Sequence, residues 1–150
     1  MKKKIALGIL ILLVLIQFIP VDTTNPTVDT QKDFITVTKA PQEVAQILKT
    51  SCYDCHAYET VYPWYFKIAP VSWWLKHHIN EGREELNFST WGDYTAKRKD
   101  KKMKESIKMV QEGEMPMWSY TLVHKDAVIN EAQQKTLVDW FTTLRTGEAN

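Results

Sequence analysis

Apolar positions along this chain form one continuous run and then several periodic groups. The run extends from Ile5 to Ile19, interrupted only by Gly8 and Gln17, and follows Lys2, Lys3 and Lys4. A basic stretch followed by an apolar one is the order of an export signal. As a helix, Ile5 to Ile19 would reach about 22 Å against a hydrocarbon core of about 30 Å, a deficit that snorkelling lysines and Val21 can reduce. Phe18, Ile19 and Pro20 stand where a small-residue cleavage site would be. Residues 1–21 are therefore expected to be a single-pass anchor with its positive end inside, or else a cleaved signal peptide. Residues 22–40 are rich in Thr, contain Pro26 and lack a helical period, which predicts a flexible tether.

A helical period begins after Pro41, where Val44, Ile47 and Leu48 make an apolar face running toward Cys52. Pro70 opens a second helix, with Val71, Trp74, Leu75, His78 and Ile79 on one face and an end between Gly82 and Leu86. A third is expected from Asp100 to Glu112, carrying Met103, Ile107 and Val110 and stopped by Gly113. The last has Asn130 as N-cap with Gln133 three positions on, then Leu137, Val138, Phe141 and Leu144, and Gly147 after it. Residues 57–69 are aromatic and irregular, and Asn87 to Trp91 reads as a turn. No strand-like alternation of useful length and no repeat occurs, so residues 41–147 are expected to form an all-α domain of about four helices.

Composition sharpens this picture in two places. Lys and Arg number 19 against 18 Asp and Glu, so no global field favours nucleic acid, and the chain is too short for a barrel enzyme or a full dinucleotide fold. The basic run from Lys97 to Lys104 is either a solvated helix face or a surface that steers an acidic partner. Six Trp, six Tyr and five Phe accompany only five Gly, an excess of flat apolar side chains that need a large surface to cover.

The two cysteines point to a cofactor that would supply that surface. Cys52-Tyr53-Asp54-Cys55-His56 is C-x-x-C-H, the attachment motif of c-type haem. Two thiols three residues apart can add across the two vinyl groups of one haem, and the adjacent His56 can ligate the iron from beneath the ring. Haem c with its iron is the expected cofactor, and Trp64, Trp73, Trp74, Trp91, Trp118 and Trp140 are candidate walls for it. The competing readings are a disulfide or thiol oxidoreductase, and a zinc site that adds two of the four histidines to the cysteines.

For the second iron ligand, Met115 in Glu114-Met115-Pro116 is the first choice, a soft thioether on a segment stiffened by proline. His78, Met117 and His124 are its rivals; His78 is otherwise a core histidine, and His124 a partner for a carbonyl or a haem propionate. His56 needs its other nitrogen occupied, and the carbonyl of Pro70 or a neighbour is the expected acceptor.

Ser51 to His56, Tyr62-Pro63-Trp64-Tyr65, Ile68 to Trp73, His78, Glu81-Gly82-Arg83, Leu86 to Ser89, Trp91 and Gly113 to Pro116 together resemble the small haem-binding domain family of exported bacterial proteins, related to monohaem cytochromes c. The resemblance covers roughly Val44 to Leu144. It implies a cytochrome c-like fold, covalent haem on Cys52 and Cys55, and His56 as the proximal ligand. That family pattern carries a second proline after the Met-Pro pair, where this chain has Met117, and it also includes His78 and His124.

Taken together, the expectation is a membrane-tethered electron carrier on the periplasmic face, not an enzyme. It would exchange electrons with a redox protein not identified by the sequence and would not bind nucleic acid. A His/Met pair would raise its potential and a His/His pair lower it. The alternative is a haem-based sensor or ligand-binding module with an open or bis-His site, and peroxidase chemistry is a third reading.

Overall fold

The computed structural model describes residues 1–147. Among these residues there is no strand and there are eight α-helices: α1 (Lys2–Leu15), α2 (Phe34–Thr38), α3 (Gln42–Ser51), α4 (Tyr53–His56), α5 (Val71–Glu85), α6 (Ala96–Gln111), α7 (Trp118–Thr121) and α8 (Glu131–Thr146). Short 3-10 segments cover Ile16–Phe18, Trp64–Lys67 and Lys125–Ala127, and a longer one covers Phe88–Asp93. The four expected helices correspond to α3, α5, α6 and α8. The short helices α2, α4 and α7 are additions, each too brief to leave a periodic trace.

Local chemistry explains the main boundaries. Pro41 precedes α3 and Pro70 precedes α5, positions where a missing N–H costs nothing. The Asn130 side chain accepts from the Gln133 N–H while the Gln133 side chain accepts from the Asn130 N–H, a reciprocal cap that starts α8 as expected. Helix α6 begins four residues before the expected Asp100, because the Thr95 hydroxyl caps the Arg98 N–H at 3.3 Å and most of the basic run that follows is helical and exposed.

The core is aromatic and is assembled from distant parts of the chain. Phe34 is fully buried and meets Phe88, Trp91 and Phe141 edge-on, with ring centroids 5.1, 5.0 and 6.2 Å away, the preferred aromatic arrangement. Val44, Ile47 and Leu48 from α3, Met103 from α6, and Leu137 and Phe141 from α8 complete it. Arg145 Nε pairs with Asp100 at 2.8 Å, and Gln134 Nε2 donates to the Val110 carbonyl at 2.6 Å, joining α8 to both ends of α6.

Three expectations are altered by this architecture. The stretch 22–40 is not free along its length. Asp33 and Phe34 are buried, Asn25 Nδ2 donates to the Thr60 carbonyl at 2.8 Å, and the Lys32 carbonyl accepts from the Gly92 N–H at 2.8 Å. Isolated polar partners and one aromatic, rather than a period, bind it to the domain. The apolar N-terminus does form a helix, but α1 has 14 residues, and among the described residues no helix is long and apolar enough to cross a membrane. Helix α5 buries only Ser72 and Ile79; Val71 and Trp74, assigned to its inward face, are 44% and 45% exposed.

Candidate cofactor site

The C-x-x-C-H segment lies at the junction of α3 and α4, and its two intervening residues hold it from opposite sides. Tyr53 points into the core, stacks on Phe88 at 5.1 Å with ring planes 9° apart, and donates its hydroxyl to both Asp33 oxygens at 3.1 Å. Asp54 points the other way, where its carboxylate accepts from the Tyr120 hydroxyl at 2.7 Å and from the Val61 N–H at 3.0 Å. Burial pushes Tyr53 and Tyr120 well above the usual phenol value and keeps both as donors. Burial also raises the Asp33 carboxyl above its ordinary value.

His56 makes its hydrogen bonds to backbone, and its ring meets Phe88 edge-on at 6.2 Å. Its Nδ1 lies 2.9 Å from the Gly82 carbonyl and 3.0 Å from the Leu86 carbonyl, at the end of α5. A carbonyl can only accept, so Nδ1 carries the proton and Nε2 keeps its lone pair. Burial lowers the His56 pKa and favours this neutral, ligating form. Gly82 permits the approach: a Cβ there would lie 3.1 Å from the Cys55 carbonyl oxygen and 3.4 Å from His56 Cε1. The acceptors are thus at the far end of α5 from the expected Pro70, whose carbonyl receives the N–H groups of Trp73 and Trp74.

Beside His56 is a crevice of two adjoining cavities, of about 360 and 370 Å³. They share Ser51, Cys52, His56, Glu85, Met115 and Pro116. One continues between Phe88, Met109, Val110, Leu137 and Phe141, and the other past Cys55, His78, Met117 and Tyr120. Lys102 is the only lysine or arginine among the lining residues, held at 3.0 and 3.1 Å by Glu85 and Glu105. A flat, largely apolar group with polar edges fits this lining, and the volume is that of a small-molecule site. Both cysteines are free. Burial pushes their thiols up, to about 12 for Cys52 and about 11 for Cys55, opposite to the lowered value of a redox-active C-x-x-C. Among the described residues no group of three or more His, Cys, Asp and Glu is placed to hold a metal ion, so the four-ligand zinc arrangement is not assembled.

The rival second ligands occupy different positions. Met115 lines both cavities together with His56. His78 and Met117 line the second cavity, and His78 Nδ1 is 2.8 Å from the Trp74 carbonyl. His124 is outside the crevice: its Nε2 shares a 2.6 Å hydrogen bond with the Tyr65 hydroxyl and its ring stacks on Tyr120. No tryptophan lines either cavity; of the candidate walls, only Trp74 comes near, lining a smaller cavity of about 50 Å³ that shares Cys55, His78, Met117 and Tyr120 with the second. Trp91 belongs to the core, while Trp64 and Trp118 are 74% and 77% exposed.

Sequence reading missed the anchoring roles of Tyr53, Asp54, Asp33 and Gly82. A glycine inside a helical period was the available signal for Gly82, since such a glycine marks close packing. Nothing local marks Asp33 as the partner of Tyr53.

The family described as haem-binding domain matches residues 11–143. No curated protein and no solved structure matches the chain.

Proposed function

Because the chain belongs to the haem-binding domain family, we propose that it is an exported monohaem protein of c type, cytochrome c-like in fold, whose work is one-electron transfer. Haem iron, held here, supplies a reversible change between ferric and ferrous states. Cys52 and Cys55 would form the covalent links, each S–H adding across a vinyl group with sulfur bonding to one carbon and hydrogen passing to the other. His56 would ligate the iron through Nε2, and Met115 would be its second ligand.

The observation that carries this reading is the pairing of His56 Nδ1 with the Gly82 and Leu86 carbonyls, in a crevice that also holds both cysteines. Those bonds fix the tautomer and strengthen the ligand before any metal arrives. Val110, Leu137 and Phe141 line one cavity and would keep water from the side of the group they cover, limiting solvent reorganisation when its charge changes. Lys102, paired with Glu85 and Glu105, would have to exchange one of them to meet a carboxylate of the cofactor. Membrane attachment through α1, with the domain on the periplasmic side, completes the proposal.

Spectra of the purified chain test it. Haem that survives acid–organic extraction, and is lost in the double variant Cys52→Ser/Cys55→Ser, is expected for thioether attachment. A thioether-to-iron charge-transfer band that disappears in Met115→Ala, and persists in Met117→Ala and His78→Ala, is expected for the axial pair. Extractable haem would overturn the covalent assignment. Ready carbon monoxide binding by the ferrous protein at neutral pH would replace the carrier by a ligand-binding module.

A further inference from the structure

We infer that the face carrying Phe18, Trp64, Ile68, Val71 and Trp74 rests in the interfacial layer of a phospholipid bilayer, so that the domain is held against the membrane in one orientation. This rests on the proposed membrane attachment through α1 and adds a contact surface to it.

The join between α1 and the domain is short and fixed. Gln17, just past α1, makes a paired contact with Ala69: its Nε2 donates to the Ala69 carbonyl and its Oε1 accepts from the Ala69 N–H, both at 3.0 Å. Two residues on, the Ile19 carbonyl accepts from Trp73 Nε1 at 3.1 Å. The chain leaves the apolar helix and is bonded to the start of α5 within a few residues. Helix α1 itself buries none of its residues, and Ile5, Leu7, Leu10, Leu12 and Leu15 are each more than half exposed. Its apolar side chains are left without a protein surface of this chain to cover them.

Length makes the contact close. Fourteen residues of α1 rise about 21 Å, less than a hydrocarbon core of about 30 Å. A helix this short, placed in a bilayer, draws whatever is bonded to its end down to the headgroup level. The groups found there are apolar and aromatic yet uncovered: Phe18 is 79% exposed and Trp64 74%, with Ile68, Val71 and Trp74 also exposed. Tryptophan is the side chain enriched at that depth, and exposed apolar side chains on segments bonded this close to an uncovered apolar helix are of the kind that membrane-contact sites carry.

The test uses the full-length, haem-loaded chain labelled with 5-fluorotryptophan, in nanodiscs of phosphatidylcholine and phosphatidylglycerol at about 3:1. Resonances are assigned by Trp→Phe variants, and a lipid spin-labelled near the headgroup is added. Trp64 and Trp74 are expected to broaden at least about twofold more than the core residue Trp91. Val71→Glu combined with Ile68→Glu is expected to abolish that difference while the chain still travels with the discs. Disc binding with equal broadening at all three positions overturns the inference and leaves membrane attachment standing. Failure to bind the discs overturns both. Protection of Trp64 that requires added membrane proteins assigns the face to a protein partner and overturns the lipid contact.

Discussion

The two walls of the crevice are built differently. On the His56 side, nearly every group is fixed by a second one: Nδ1 by two carbonyls, Tyr53 by Asp33 and Phe88, Asp54 by Tyr120 and Val61. On the Met115 side, the segment after α6 is held by backbone, with the Glu114 and Met115 N–H groups both donating to the Met109 carbonyl, at 2.9 and 3.2 Å. Gly113 and Glu114 beside it are exposed. On the proposed ligand pair, the residue that must be correct before the cofactor arrives is the overdetermined one, and the weaker ligand is carried on a lightly tied segment.

A matched pair of glycines gives the largest contrast. Gly82→Ala sets a methyl group against the Cys55 backbone and the His56 ring, and is expected to cost about 1–3 kcal/mol as overpacking does, with reduced haem per chain. Gly113→Ala meets nothing within 4 Å and suffers only from its positive φ of 71°, about 1 kcal/mol. Denaturant midpoints and the haem-to-protein absorbance ratio compare them; equal losses of haem would erase the distinction between the walls.

Tyr53→Phe removes both contacts to Asp33 and is expected to cost about 1–2 kcal/mol, the penalty of a buried acceptor left short of a donor. Urea unfolding of the haem-free chain reads this without interference from iron. Met115→Ala is expected to change stability by at most about 1 kcal/mol, since the side chain is only half-buried, although the spectrum changes fully. A large stability loss with an unchanged spectrum would make Met115 a packing residue.

The smallest effect concerns pH. Asp33 has a folded pKa raised by burial, so the native state binds more protons than the unfolded one between the ordinary carboxylate value and the raised value. Its contribution is present at low pH and is lost as pH rises through the folded pKa. Asp33→Asn, which keeps an oxygen for the Ile35 cap, is expected to flatten that fall. Urea midpoints between about pH 4 and pH 7 compare the two proteins; parallel curves would remove Asp33 as the source.

Much of this was legible in the sequence because it is local. The period of α3 and α8, the Asn130 cap and the spacing of Cys52, Cys55 and His56 are each contained within a few turns of helix. What was not legible joins distant positions. Asp33 and Tyr53 are linked by burial that no local pattern records, and the His56 acceptors lie at the end of α5 rather than its beginning. The tryptophans misled for a physical reason: aromatic content measures the demand for apolar surface and does not say whether cofactor, core or membrane supplies it.

Phe34 touching Phe141 also constrains the order in which the molecule is made. The core needs a ring from near the beginning of the domain and another from its last helix, so it cannot close while α8 is still being synthesised. Contacts of such large sequence separation delay folding. An incomplete chain is therefore expected to stay open, which is the condition the proposed export would require of a polypeptide threaded through a translocation pore.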